Sequence, residues 1–177
     1  MKKFFFLTAC LALFVFSGNE LYGKTVNLGY RIGTVTAAEF SSVSTEIVDA
    51  EKYPFGAIPK NPRYAVVVVK MEPNRSISSL DYSLVINGVT AKCIAAALNM
   101  DPFVSSPATL YPDKADSVRL LFVFDGSKVP GPAANKTVAA RLSSNLRGRS
   151  SVSINVLGLG NGKFTDTAKI PAAGLLK

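Results

Sequence analysis

Histidine is absent from this 177-residue sequence. Without imidazole the chain has no Ser-His-Asp or Cys-His nucleophilic site, no histidine zinc ligand and no histidine general base. Cysteine occurs only twice, which excludes clustered thiolate metal sites, and Ser-x-x-Lys, Gly-x-Ser-x-Gly and phosphate-binding glycine loops are missing. We therefore expect a protein that is not an enzyme and has no cofactor, catalytic residue or metal site.

Acidic residues are also scarce, because 12 Asp and Glu stand against 20 Lys and Arg, for a net charge of +8. Cleavage after Ser17 would remove Lys2 and Lys3 and lower that charge by two, to +6. Excess positive charge promotes adhesion to phosphates, acidic glycans or anionic lipid. The basic residues are spread along the chain, apart from a run between Arg141 and Arg149, whereas nucleic-acid-binding proteins cluster them among aromatics. We expect no nucleic acid partner.

The N-terminus is typical of a secretory signal peptide. Two lysines precede an apolar run from Phe4 to Phe16, and small residues follow. This run is too short for a membrane span, which needs about 20 residues. We predict a signal peptide within residues 1–23, cleaved after Ser17 or Gly23, with export to the periplasm or the extracellular space and no transmembrane span in the mature chain.

The two cysteines leave two alternatives open. Leu7-Thr8-Ala9-Cys10 is similar to a lipobox, so a lipid anchor at Cys10 competes with simple cleavage, although the apolar run continues past this cysteine. Cleavage would leave Cys93 alone and without an intramolecular disulfide. Cys93 is then either a small buried apolar residue, which we favour, or a reactive thiol that bridges two chains.

The strongest strand signal is the run of four valines from Val66 to Val69, because β-branched side chains suit a pleated surface. Its unbroken apolar character predicts burial on both faces. Asn87-Gly88 predicts a type I′ hairpin between two further strands. The run from Thr25 to Val35 alternates apolar and polar residues and predicts one first strand, while the alanine-rich segment from Ile94 to Met100 leaves a short helix open.

Later segments add strands at 117–125, 137–143 and 151–157. About seven or eight short strands, with turn signals roughly every 8–12 residues, describe a single all-β domain, either a sandwich or a barrel.

The order of these segments resembles that of small immunoglobulin-like β-sandwich domains of exported bacterial proteins, a group that includes a secreted immunoprotective antigen and many lipoproteins. The segments that carry the resemblance are Arg63 to Lys70, Leu80 to Gly88 and Tyr111 to Phe124, and the match covers roughly residues 25–160. The resemblance implies an immunoglobulin-like antiparallel sandwich over residues 24–177. It implies no catalytic residues.

Carboxylates are the remaining candidates for chemistry. Asp113, Asp116 and Asp125 lie near the ends of one predicted strand, and Glu46 and Asp49 lie close together in sequence. Either group has the residue types of a calcium site or a glycosidase pair. We favour the simpler interpretation that these acids accept hydrogen bonds from backbone amides in turns.

Aromatic residues in proline-stiffened loops are the candidate partner-binding residues, since aromatics often anchor interfaces. The candidates are Tyr53, Phe55, Phe103 and Tyr111. The simpler alternative, which we favour, is that such rings close the ends of the sandwich. We expect an exported, non-catalytic binding module of the bacterial envelope or extracellular space, whose partner is a protein or a cell-surface component. The alternatives are a structural or chaperone-like envelope component that pairs through an edge strand, and a carboxylate-dependent hydrolase.

Overall fold

A computed structural model of the chain describes residues 24–27, 32–41, 55–71, 76–113, 116–145, 150–162 and 164. The predicted signal peptide at residues 1–23, with Cys10, lies outside these ranges. A 3-10 turn spans Ser79–Asp81. The strands are β1 (Lys24–Asn27), β2 (Ile32–Ser41), β3 (Pro62–Met71), β4 (Ile77–Ser78), β5 (Tyr82–Ile86), β6 (Val89–Leu98), β7 (Val104–Ser105), β8 (Thr109–Leu110), β9 (Ser117–Asp125), β10 (Thr137–Ser144) and β11 (Ser150–Gly158).

Seven of these strands close into a β-barrel, so the predicted immunoglobulin-like sandwich is wrong. The order around the ring is β2, β11, β10, β5, β6, β9 and β3, and β3 pairs with β2 again. A sandwich needs two separate stacked sheets. Here β2 joins the two ends of one sheet instead, because its long antiparallel ladder with β3 occupies one edge and β11 meets the other.

The contact between β2 and β11 is the shortest ladder of the ring. It is parallel and pairs Leu157 with Glu39 and Gly158 with Phe40. A backbone hydrogen bond extends it, since the amide of Leu159 donates to the carbonyl of Phe40 at 2.8 Å. Ring closure therefore depends on a few backbone contacts at the end of β11.

Two β-bulges break the alternation of side chains within the ring. In β2 the register shifts between Val35, which faces the interior, and Ala37, which faces outward. In β6 it shifts between Cys93, which faces inward, and Ala95, which faces outward. Each bulge bends its strand and increases its twist, which helps a sheet to curve into a barrel.

The valine run is buried on both faces, as predicted. Val67 and Val69 face the barrel interior, whereas Val66 and Val68 face outward. The interior is filled by apolar side chains from every ring strand, among them Phe40, Val67, Leu84, Cys93, Leu120, Leu142 and Val156. A second cluster, which we call the outer cluster, covers the outer side of β3, β9 and the bulged half of β6; the residues that pack there include Phe55, Ile58, Phe103, Leu159 and Phe164.

The structure confirms the predicted hairpin, contradicts the predicted first strand and shows which conformation the alanine-rich segment takes. The hairpin at Asn87-Gly88 is confirmed, with φ of 50° and 77° at its two central residues. The single first strand from Thr25 to Val35 is wrong, because β1 and the start of β2 pair antiparallel with Asn27 opposite Ile32. The alanine-rich segment is a strand through Leu98 and not a helix, because pairing with β9 outweighs the helix propensity of alanine.

Candidate functional site

The structure separates the predicted aromatic anchors. Tyr53 lies outside the described residues. Phe55 is half-buried against the outer cluster, and the Nζ of Lys92 lies 5.2 Å from the centre of its ring. Phe103 is buried at 2% exposure, whereas Tyr111 is 73% exposed. Of the three described candidates, Tyr111 alone presents most of its ring to a partner.

Phe103 is held inward by Arg119, a residue that sequence reasoning missed. Arg119 faces outward from β9 but is buried, and its guanidinium carbon lies 4.7 Å from the centre of the Phe103 ring. Its Nη2 donates to the carbonyl of Asp101. Burial lowers the pKa of Arg119, and the charge of Asp101 opposes that shift. The pair fixes the loop after β6 onto the barrel wall, which is a structural role.

The environment of Cys93 makes it an unreactive thiol. Its side chain is fully buried in the barrel interior, and Sγ lies 3.1 Å from the carbonyl oxygen of Ala95. Burial raises the pKa of Cys93 to about 12, although hydrogen bonds with backbone groups of Ala95 and Leu121 oppose the rise. Since the thiolate is the nucleophile, these facts favour the small apolar residue over the reactive thiol.

The carboxylates at the two ends of β9 serve turns. Asp116 accepts hydrogen bonds from Asn99 Nδ2 at 2.7 Å and from the amide of Asp113 at 2.8 Å. Chiefly the Asn99 bond lowers the pKa of Asp116, and the Asp113 bond adds to the shift. Asp125 accepts from the hydroxyl and the amide of Ser127, and these bonds lower its pKa. No group of three potential metal ligands occurs among the described residues. Two other candidates lie outside them: Glu46 and Asp49.

The barrel has one flank that is largely exposed, opposite the outer cluster. It consists of the outward residues of β5, β10, β11 and the first half of β6, and we call it the polar face. Its central residue, Arg141, is exposed, as are its neighbours Ser151 and Ser153. The members of the polar face are Ser83, Val85, Thr90, Lys92, Thr137, Ala139, Arg141, Ser143, Ser151, Ser153, Asn155 and Leu157.

Strand register arranges the polar face in rows. Arg141 on β10 is paired with Val85 on β5 and with Ser153 on β11. In the next row Ser143 is paired with Ser83 and Ser151, and Lys92 on β6 continues this row beyond Ser83. The rows thus hold short hydroxyl side chains beside two cations, on adjacent strands in one register.

The polar face carries no acidic and no aromatic residue. Asp81, in the turn before β5, borders one end of it, and Lys136 borders the opposite end, before β10. The other acids of the described chain are placed elsewhere, on β2 or in loops and strand ends around β9: Glu39, Asp101, Asp113, Asp116 and Asp125. The segregation leaves the polar face with positive charge.

Comparison with known proteins adds no further assignment. No protein family model, no curated protein and no solved structure matches this chain. In the part of the chain that the structure describes, no helix is long and apolar enough to cross a membrane.

Proposed function

We propose that this protein is an exported, non-catalytic binding module of the bacterial envelope or extracellular space that contacts a cell-surface component through its polar face. The observation that carries the proposal is the contrast between the two flanks of the barrel. The flank of β3 and β9 is buried under the outer cluster, whereas the polar face leaves aligned hydroxyl and cationic side chains open to solvent.

The barrel interior supports this placement of the binding surface. Larger barrels bind small ligands in an open interior, but seven strands enclose little space. Here buried apolar side chains such as Phe122 and Phe124 occupy it. A ligand therefore meets this protein on the outside.

An enzymatic role receives less support. The thiol of Cys93 is buried and protonated, and the acids near β9 are engaged in turns at opposite ends of that strand. Edge-strand pairing also receives less support over most of the ring, because β3, β9, β6, β5 and β10 each have ring neighbours on both sides, whereas β11 meets β2 only at its end.

A steric block of the polar face tests the proposal. Ser153 is exposed beside Arg141, so Ser153→Tyr places a bulky neutral side chain over the centre of the face. Thr109→Tyr, on the exposed side of β8, is the matched control. Labelled wild type, Ser153→Tyr and Thr109→Tyr proteins are incubated with isolated envelope material from the producing cells, and the bound fraction is measured.

We expect Ser153→Tyr to lose most of the binding and Thr109→Tyr to retain it. Equal binding by all three proteins, with unchanged thermal unfolding, would show that the polar face is not the contact surface. The proposal would then be wrong.

A further inference from the structure

We propose that the polar face binds an acidic polysaccharide, a chain of sugars that carries carboxylate groups at intervals. This inference rests on the proposed function and specifies its ligand. It follows from the charge of the polar face, the spacing of its cations and the polar groups between them.

The cations are too far apart for one small anion. Lys92 lies two strands and two residues away from Arg141 in the ladder, a Cα separation of about 12 Å. Lys136 precedes Arg141 by five residues along extended chain, or about 17 Å. These separations exceed the Debye length of roughly 8 Å at physiological salt. A compact ion thus meets one cation, whereas a polyanion engages Lys92, Arg141 and the bordering Lys136 together and gains from multivalency.

Two cationic side chains of the polar face are suited to bind carboxylates. Arg141 is exposed, and its guanidinium presents a planar fork that can pair with both oxygens of a carboxylate. The ammonium of Lys92 lies over the ring of Phe55 at 5.2 Å, and this cation–π contact positions it at one corner of the polar face.

The groups around the cations suit sugars. Ser83 and Ser143 lie between Arg141 and Lys92, and Ser153 and Asn155 lie on β11 beside Arg141. All four are short side chains that donate and accept hydrogen bonds, as sugar hydroxyls do. No aromatic ring on the polar face offers the stacking that single-stranded nucleic acids use. Its two larger apolar side chains, Val85 and Leu157, are half-buried and lie on different strands, so the face has no apolar stripe of the kind that inserts into a lipid surface.

Binding to defined polymers tests the ligand class. Affinities for polygalacturonate, neutral dextran and poly-L-glutamate of matched length are measured by calorimetry at several salt concentrations. We expect polygalacturonate to bind, dextran to bind at least a hundredfold more weakly, and poly-L-glutamate to bind more weakly than polygalacturonate because it lacks hydroxyls. Binding should weaken steeply with salt, as counterion release requires.

Two charge variants locate the contact. Arg141→Gln removes the central cation, and Lys70→Gln removes an exposed cation from β3, across the barrel. Because a hydrogen bond to a charged group contributes about 1.5 kcal/mol, we expect Arg141→Gln to weaken polygalacturonate binding about tenfold. Lys70→Gln should leave it unchanged.

Failure of this inference is distinguishable from failure of the proposed function. Three results would contradict an acidic polysaccharide as the ligand. They are equal affinity for polygalacturonate and poly-L-glutamate, no binding to polygalacturonate, or equal losses of affinity in Arg141→Gln and Lys70→Gln. If Ser153→Tyr still abolished envelope binding in such a case, the polar face would keep its role with another ligand.

Discussion

Cys93 provides a sensitive test of the barrel interior. Its ordinary pKa is 9.0, and burial in the folded protein raises the pKa to about 12. A raised thiol pKa means that folding favours the protonated form. The corresponding stability is fully present below pH 9 and is lost as the pH rises from about 9 to about 12.

The size of the loss follows from linkage. At pH 10.5 the thiol of the unfolded chain is deprotonated by a ratio of about 30 to 1, whereas that of the folded protein stays almost wholly protonated. Folding must then return a proton to Cys93, which costs about 2 kcal/mol relative to pH 8.

The measurement is urea unfolding of the Cys10→Ser protein, in which Cys93 is the one remaining thiol, at pH 8 and pH 10.5. The same protein with Cys93→Ala is the control, since it differs from the thiol protein only at this side chain. Cys93→Ala should lower the free energy of unfolding at pH 8 by about 1 kcal/mol, because it leaves a small cavity.

Between pH 8 and pH 10.5, however, the thiol protein should lose about 2 kcal/mol more than the alanine protein. The two stabilities should therefore cross or converge. If both proteins instead lost the same amount, the Cys93 thiol would not be buried and protonated in the barrel interior, and the packing described for β6 would be refuted.

Two further predictions concern backbone conformation and a surface carboxylate. Gly131→Ala should destabilise the protein by about 2 kcal/mol or more in urea unfolding, because φ is +82° and the new methyl group would overlap the ring of Phe40. Gly88→Ala, at φ +77° in open space, should cost only about 1 kcal/mol, and equal losses would contradict the Phe40 contact. The pKa of Asp116, measured by NMR titration, should lie below 3.8 and rise in Asn99→Ala. Stability from this carboxylate is present above its unfolded pKa and lost as the pH falls through the folded one, and an unchanged pKa in Asn99→Ala would refute the assigned cause.

Strand positions were largely predictable from sequence because they depend on local patterns. The valines from Val66 to Val69 have β-branched side chains and no polar residue between them, so they indicate a doubly covered strand. Asn87-Gly88 tolerates two positive φ angles in succession and so specifies its turn. Both features lie within a few residues of the structure that they determine.

Ring closure was not predictable, because it depends on pairs that are distant in sequence. Leu157 and Glu39 are partners across the shortest ladder, and nothing in either segment marks the other. The bulges in β2 and β6 also interrupt the alternation of inward-facing and outward-facing side chains. Cys93 and Ala95 are two residues apart but face opposite sides of the sheet. An unbroken period of two therefore assigns the wrong face to half of each strand.

The polar face was visible in sequence only in pieces. Polar and apolar residues alternate from Ser151 to Val156, which indicates one solvent-exposed side, but the neighbours of that side depend on tertiary pairing. The sequence predicted the binding surface at aromatic residues in loops instead. One of them, Phe103, is buried, because Arg119 on another strand stacks against it. Sequence reasoning had no means to pair those two residues.

Closure of the barrel is the claim on which both the filled interior and the polar face depend. NMR correlation across hydrogen bonds tests it directly, by linking each amide nitrogen to the carbonyl carbon that accepts its proton. We predict a correlation from the amide of Leu159 to the carbonyl of Phe40, which lie 2.8 Å apart. A correlation of Leu159 with any other carbonyl, or rapid solvent exchange of its amide, would leave β11 and β2 apart and contradict the closed ring.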